Sequence, residues 1–331
     1  RSWVMSNLIR LGLQIPNFTY PGVGPADLFE HIAAQAVAAE ESGFDSVYVM
    51  DHFFQLPMLG SPEQEMLECY TLLSALAART KKVRLGAMVG GVTYRNPAFL
   101  AKTVTTLDVV SRGRAIWAIG AAWFEQEHRA YGYDFGTFTD RFEKLEEGLQ
   151  IAKSMFVNDT TTFAGKWFSV TDALNNPKPI QAGGPPVLIG GSGEKKTLRM
   201  VAQYGDACNV FGNPDQIRHL MDVLDAHCER LGRNPRDICR TRLGTLVLGR
   251  TKEEAEAKLL RRFGGRTIDQ LHPDMQLRVK NQFLVGDADT VAEQVSLLLG
   301  AGLDGLIFNM TDAHDLDAVA YAGDVLSGIM R

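Results

Sequence analysis

In the run Gly43-Phe44-Asp45-Ser46-Val47-Tyr48-Val49-Met50-Asp51-His52-Phe53, an ionisable pair follows directly on a short β-branched and aromatic stretch. Such a stretch reads as a buried parallel strand, and parallel α/β sheets place their chemistry at the C-terminal ends of their strands. A histidine gives or takes a proton near neutrality, while an adjacent carboxylate orients a ligand or ring and stabilises positive charge. Asp51 and His52 are therefore candidate acid-base residues, the bland alternative being a structural pair at a strand end.

Three further segments have the same strand-end character. Ile189-Gly190-Gly191-Ser192-Gly193 follows an apolar run and opens a helical pattern, so its backbone N–H groups and the helix dipole suit a phosphate, with Lys195, Lys196 and Arg199 adding positive charge. Ordinary strand-to-helix turns use the same glycines. Leu85-Gly86-Ala87-Met88-Val89-Gly90-Gly91 ends in paired glycines that allow a close backbone approach, or simply a tight turn. Gly120-Ala121-Ala122-Trp123-Phe124-Glu125-Gln126-Glu127-His128 is small, then aromatic and acidic. Trp123, Tyr131, Tyr133 and Phe138 suit packing and a pocket wall equally. His31, His219, His227, His272 and His314 fall on helical or insertion patterns and read as bystanders.

The elements that must position these groups alternate between short strands and amphipathic helices. Strands are predicted at Leu8 to Ile15, Phe44 to Met50, Val83 to Val89, Ala115 to Gly120, Val187 to Gly190, Asp206 to Phe211, Thr241 to Leu248 and Gly305 to Asn309. Helices are predicted at Pro25 to Ser42, Glu63 to Thr80, Pro97 to Ser111, Asp140 to Phe156, Glu194 to Tyr204 and Asp215 to Leu231, and a hairpin-like excursion at Thr160 to Pro186. Arg1 to Ser6 is read as a frayed start. This pattern predicts an α/β fold, a (β/α)8 TIM barrel forming one domain over residues 1–331, with an insertion between strands seven and eight. Within it, Thr251 to Phe283 is a candidate lid or pocket wall. A dinucleotide-binding sheet would want Gly-x-Gly-x-x-Gly after strand one, where the chain has Gln14-Ile15-Pro16-Asn17-Phe18.

Composition bounds the partners. Net charge is 34 minus 39, or -5, with the signs interspersed, so neither a nucleic-acid nor an anionic-membrane surface is indicated, and small molecules are the expected partners. Cys69, Cys208, Cys228 and Cys239 show no zinc-site spacing, which argues against a metal centre and for reduced thiols. No apolar run reaches the ~18 residues of a membrane helix, and the first residues lack a signal-peptide plan. The cytoplasm is the expected address.

In four places the chain resembles the luciferase-like flavin and deazaflavin superfamily, specifically its coenzyme F420-dependent oxidoreductases. These are Gly43 to His52; Leu85 to Val89 followed by Arg95-Asn96-Pro97; Ser111-Arg112-Gly113-Arg114 leading to Gly120-Ala121-Ala122-Trp123; and Pro186 to Gly193 with Gly205-Asp206-Ala207. The resemblance implies a (β/α)8 barrel, usually homodimeric, that transfers a hydride between F420 and a small organic substrate. It implies that Asp51 contacts the deazaflavin and that His52 is catalytic. It further implies that Ala87, Met88 and Val89 form a bulge with a non-prolyl cis peptide behind the ring, with Gly120, Ala121, Ala122, Gly190, Gly191, Ser192 and Gly193 completing the cofactor site. Phe18, Trp123 and Glu125 are expected in the substrate pocket. Trp123 stands where several relatives carry a catalytic glutamate, so Glu125 and Glu127 are candidate substitutes. The runner-up readings are an FMN-dependent monooxygenase and a non-catalytic flavin-binding protein.

Overall fold

A computed structural model describes residues 5–330, so Arg1 to Val4 of the expected frayed start lie outside the described residues. Eight parallel strands form the barrel wall: β1 (Leu11–Ile15), β2 (Ser46–Val49), β3 (Arg84–Ala87), β4 (Trp117–Gly120), β5 (Val187–Gly190), β6 (Ala207–Val210), β7 (Cys239–Leu248) and β8 (Gly305–Met310). β1 pairs with β2 and β8, closing one seam. The opposite seam closes through a single Leu85–Ala115 bridge and through Gly90–Gly91, a continuation of β3 that pairs with Ile119–Gly120. The chain is thus an α/β barrel, as its alternation predicts.

Helices α1 (Pro25–Ser42), α2 (Cys69–Arg79), α3 (Pro97–Val110), α4 (Glu125–Tyr131), α5 (Phe138–Val157), α6 (Thr197–Tyr204) and α7 (Pro214–Leu231) surround the first seven strands. Gly43 caps α1 at φ 110°, and Asn96 caps α3 with Pro97 in its first turn. Two apolar clusters result. One, including Leu73, Val104, Leu149 and Leu326, lies between strands and helices. The other, including Tyr48, Ile116, Leu188 and Ile307, fills the barrel itself. The excursion is a two-stranded antiparallel hairpin, Thr161–Ala164 with Ser169–Ala173.

A repeated carboxylate fastens the closed end. Asp45 accepts the N–H groups of Arg10 and Leu11, Asp206 accepts Val187 N–H, and Asp304 accepts Arg240 N–H. Each aspartate stands just before its own strand and holds the first residues of the strand beside it. Burial pushes the Asp45 and Asp304 carboxyls up, although the N–H donors oppose it. Arg114 works on the same end: its guanidinium reaches the carbonyls of Ala77, Thr80, Val83 and Ser111 and the Thr80 hydroxyl, joining α2, α3 and β3.

Between β7 and β8 the expected insertion holds helices and a further strand. After α8 (Lys252–Arg262) and α9 (Pro273–Gln282), Phe283–Gly286 forms a ninth parallel strand, followed by α10 (Ala288–Gly300); α11 (Leu316–Ile329) follows β8. β7 pairs with β6 along Cys239–Arg242 and with the added strand along Thr245–Leu248, so its upper half leaves the barrel neighbour and takes a new one. Arg242 sits where these partners diverge, donating to Gly212 O and Asn281 O. Phe263, Leu271, Val279 and Phe283 close over Val247 as a satellite core. Among the described residues, no helix is long and apolar enough to cross a membrane.

Because Arg114 satisfies five acceptors at the closed end, Arg114→Met is expected to lower the unfolding free energy by about 2–4 kcal/mol. Denaturant titration reads this, and the geometry at the open end should be unaffected.

Candidate active site

The open end begins with Asp51, one of the most deeply buried carboxylates of the chain. It is 2% exposed and forms a two-point ion pair with Arg95, Nη1–Oδ2 at 2.8 Å and Nη2–Oδ1 at 2.9 Å, while Oδ2 also accepts Gly91 N–H at 2.9 Å. Burial by itself would lower the Arg95 pKa, but the Asp51 hydrogen bond and charge outweigh it and raise it. Arg95 continues to Glu68 and lies over the Tyr70 ring. Both Asp51 oxygens are thus engaged with the protein itself, fastening β2 to the turn that follows β3.

That turn carries the expected irregularity: the Met88–Val89 peptide is cis. Gln14 Nε2 donates to Met88 O, Asn309 Nδ2 donates to Gln14 Oε1, and Thr245 donates to Asn309 Oδ1. A hydrogen-bonded belt therefore runs from β7 through β8 and β1 to the bulge. Small residues complete the floor: a Cβ on Gly190 would lie 2.4 Å from Val89 Cγ2, and one on Gly90 2.9 Å from Ala118 O. Ala87 is buried in the wall, and Ala122 adopts φ 66° beside Gly91.

His52 lies next to this floor. Its Nδ1 donates to Glu127 Oε2 at 2.9 Å, and Glu127, wholly buried, also accepts Phe53 N–H and the Tyr94 hydroxyl. Burial, reinforced by the Glu127 bond, drives the Tyr94 hydroxyl pKa upward. His128 stacks on Tyr94 at 4.6 Å, donates through Nδ1 to Phe124 O at 2.8 Å and accepts Thr93 Oγ1 at Nε2. Burial keeps its pKa low, against the Phe124 bond. With Nδ1 of His52 held by a carboxylate, the ring is fixed in orientation and its Nε2 is turned away from that bond.

The acidic partner of His52 is thus Glu127, one turn beyond the position of Trp123. Glu125, expected in the pocket, instead points outward and pairs with Arg129 on the surface. α4, which sequence patterning did not show, makes the choice: its buried face presents Glu127 and His128. Trp123 is 54% exposed, stacked on Phe124 and edge-on to His52 at 5.8 Å, so it forms part of the rim. Phe18, also expected in the pocket, is 1% exposed and belongs to the core between strands and helices.

The glycine loop after β5 is longer than predicted, since α6 begins at Thr197 rather than Glu194. Gly191, at φ 126°, donates to Asn209 O, and Ser192 Oγ accepts Phe211 N–H. The basic cluster divides: Arg199 turns to Glu146, Lys196 lies over Phe138 and Phe142, and Lys195 stays exposed. His219 and His227, read as bystanders, hold this loop from α7, through Glu194 Oε1 and Glu194 O respectively.

The residues present fit a flat, heteroatom-rich ring. Asn209, paired with Gly190 at the end of β6, accepts Thr241 at Oδ1, while its Nδ2 is buried without a partner. An unpaired buried amide N–H is costly unless a ligand carbonyl or ring nitrogen accepts it.

The chain matches the sequence model of luciferase-like monooxygenases over residues 9–305. It is 29% identical to an F420-dependent glucose-6-phosphate dehydrogenase of Amycolatopsis mediterranei, over 92% of this chain and 94% of that one. Its fold superposes with TM-score 0.78 on an F420-dependent secondary alcohol dehydrogenase solved with an F420-acetone adduct, at 21% identity over 97% and 98% of the two chains. It also superposes with TM-score 0.76 on the oxygenating constituent of 3,6-diketocamphane monooxygenase of Pseudomonas putida, solved with FMN, at 19% identity over 97% and 98%. The chain is an oxidoreductase belonging to the luciferase-like monooxygenase family.

Proposed function

We propose that this protein is an F420-dependent oxidoreductase that moves a hydride between the deazaflavin and a small organic substrate, with His52 handling the accompanying proton. The observation that carries the proton role is the wholly buried Glu127 carboxylate behind His52 Nδ1. The near full-length likeness to an F420-dependent dehydrogenase supports the choice of cofactor. When bound, F420 supplies two-electron hydride chemistry at a ring carbon.

The chain's own residues divide the remaining work. The bulge at Met88–Val89 and the small residues Gly90, Gly120 and Gly190 form the surface on which a ring lies, and Asn209 Nδ2 supplies a donor to its edge. Asp51 fixes the turn behind the ring through Arg95 and Gly91. The loop Gly190 to Gly193, held by α7, supports the cofactor phosphate. Nε2 of His52 takes the proton of a substrate hydroxyl as the hydride departs, or returns it in the reverse direction, and Glu127 stabilises the charge that His52 gains. Trp123 lies edge-on beside the His52 ring at the rim.

FMN presents a similar ribityl phosphate, and an FMN-bound protein shares this fold. Fluorescence titration of the purified protein with F420 and FMN separates the readings: F420 is expected to bind more tightly, and tight FMN binding without any F420 response would sink the proposal. In steady-state assays with a turned-over alcohol, His52→Ala and Glu127→Gln are each expected to lower kcat by about 10²-fold or more. The pH profiles of both variants should also depart from that of the parent protein, because each change removes a member of the His52–Glu127 pair. An unchanged profile in both variants would remove the acid-base role.

A further inference from the structure

We propose that Tyr94 is a positioning residue for proton transfer: from the turn that follows β3, its hydroxyl holds the Glu127 carboxyl so that Oε2 stays aimed at Nδ1 of His52. The proposal rests on His52 being the proton carrier of the function proposed above. It adds a third element to a pair drawn from the end of β2 and from α4.

The donors around Glu127 are divided between its two oxygens. Oε1 accepts Phe53 N–H, while Oε2 accepts both His52 Nδ1 and the Tyr94 hydroxyl. His52 and Phe53 are consecutive, so without Tyr94 every remaining donor comes from one short segment. The Tyr94 hydroxyl reaches the carboxyl from a different element, and a carboxyl held from two elements cannot turn without breaking a bond to one of them. Glu127 is 0% exposed and Tyr94 6%, so loss of the hydroxyl leaves a buried oxygen short of a donor. Burial, with the Glu127 bond and charge added to it, raises the Tyr94 pKa, so the phenol keeps its proton and acts as the donor.

The ring that carries this hydroxyl is held independently of it. It stacks on His128 at 4.6 Å, lies against Phe53 at 4.6 Å and meets Tyr133 edge-on at 5.6 Å. His128 is itself fixed at both nitrogens, by Phe124 O and by Thr93 Oγ1. Two consecutive residues of the turn, Thr93 and Tyr94, thus grip two consecutive residues of α4, His128 and Glu127. The same turn is fastened to Asp51 through Gly91 N–H and Arg95. Residues 91–95 therefore bear both the floor of the site and the support of its proton carrier.

Tyr94→Phe removes the hydroxyl and leaves the ring on His128 and Phe53. In steady-state assays with a turned-over alcohol it is expected to lower kcat by about tenfold and to alter the pH profile, with F420 affinity within about twofold of the parent. Placed in a Glu127→Ala background, the same change should lower kcat by no more than about twofold further, because the group it holds is gone. A tenfold loss in that background, or a Tyr94→Phe protein whose kcat and pH profile match the parent, overturns the proposal.

A readout that needs neither cofactor nor turnover separates this proposal from the function on which it rests. With isotope-labelled histidine, the His52 ring resonances are identified by their loss in His52→Ala and followed in the cofactor-free protein. Tyr94→Phe and Glu127→Gln are each expected to change the Nδ1 resonance, and a resonance that Tyr94→Phe leaves unchanged overturns the positioning role. Should Tyr94→Phe melt well below the parent, the bond is read from its other side: Glu127→Gln must shift the Tyr94 Cζ resonance, and no shift overturns the proposal. A protein that gives both resonance changes but shows no F420 turnover loses the proposed function and retains the Tyr94–Glu127–His52 support.

Discussion

The open end of the barrel depends on one buried ion pair. Asp51 and Arg95 meet through two short hydrogen bonds in a place where neither charge reaches much water, and such a pair is stable only while both members are present. Through Arg95 it fixes the turn after β3, and that turn delivers Tyr94 to Glu127 and Gly91 to the floor. His52 is next to Asp51 in sequence but takes its support from Glu127 on α4. Two neighbouring residues therefore belong to different networks, one centred on Arg95 and one on Glu127.

The two ends of the barrel use carboxylates in contrasting ways. At the closed end Asp45, Asp206 and Asp304 each accept backbone N–H groups from an adjacent strand and set its register. At the open end Asp51 and Glu127 each accept one backbone N–H as well, but they also bond the side chains of Arg95, His52 and Tyr94. The stretch from Gly43 to Phe53 contains both kinds, which is why a short strand accounts for so much of the fold and of the site.

How far this was legible in the amino-acid order depended on the range of the interaction. β5 was read at Val187–Gly190 and α1 at Pro25–Ser42, because proline, glycine and apolar runs mark those boundaries locally. Phe283–Gly286 is not legible locally: it follows α9 without turn punctuation, and four apolar residues are as consistent with a helix end as with a strand. The choice between Glu125 and Glu127 depends on which face of α4 is buried, and a seven-residue helix carries too little periodicity to show it. Phe18 looked like a pocket wall because it follows strand one, yet the chain turns it back into the core. The split of the basic cluster, with Arg199 drawn to Glu146, likewise follows from packing against α5.

The fork in β7 has a mechanical consequence. Its lower half is bonded to β6 and its upper half to Phe283–Gly286, so the barrel wall and the segment above it share one uninterrupted backbone. A door swinging on that edge would shear four paired positions, Thr245 to Leu248 against Phe283 to Gly286, at once. The inserted segment is joined to the wall along β7, and α9 faces Met58 across a cleft. Movement of side chains across that cleft disturbs none of these backbone bonds.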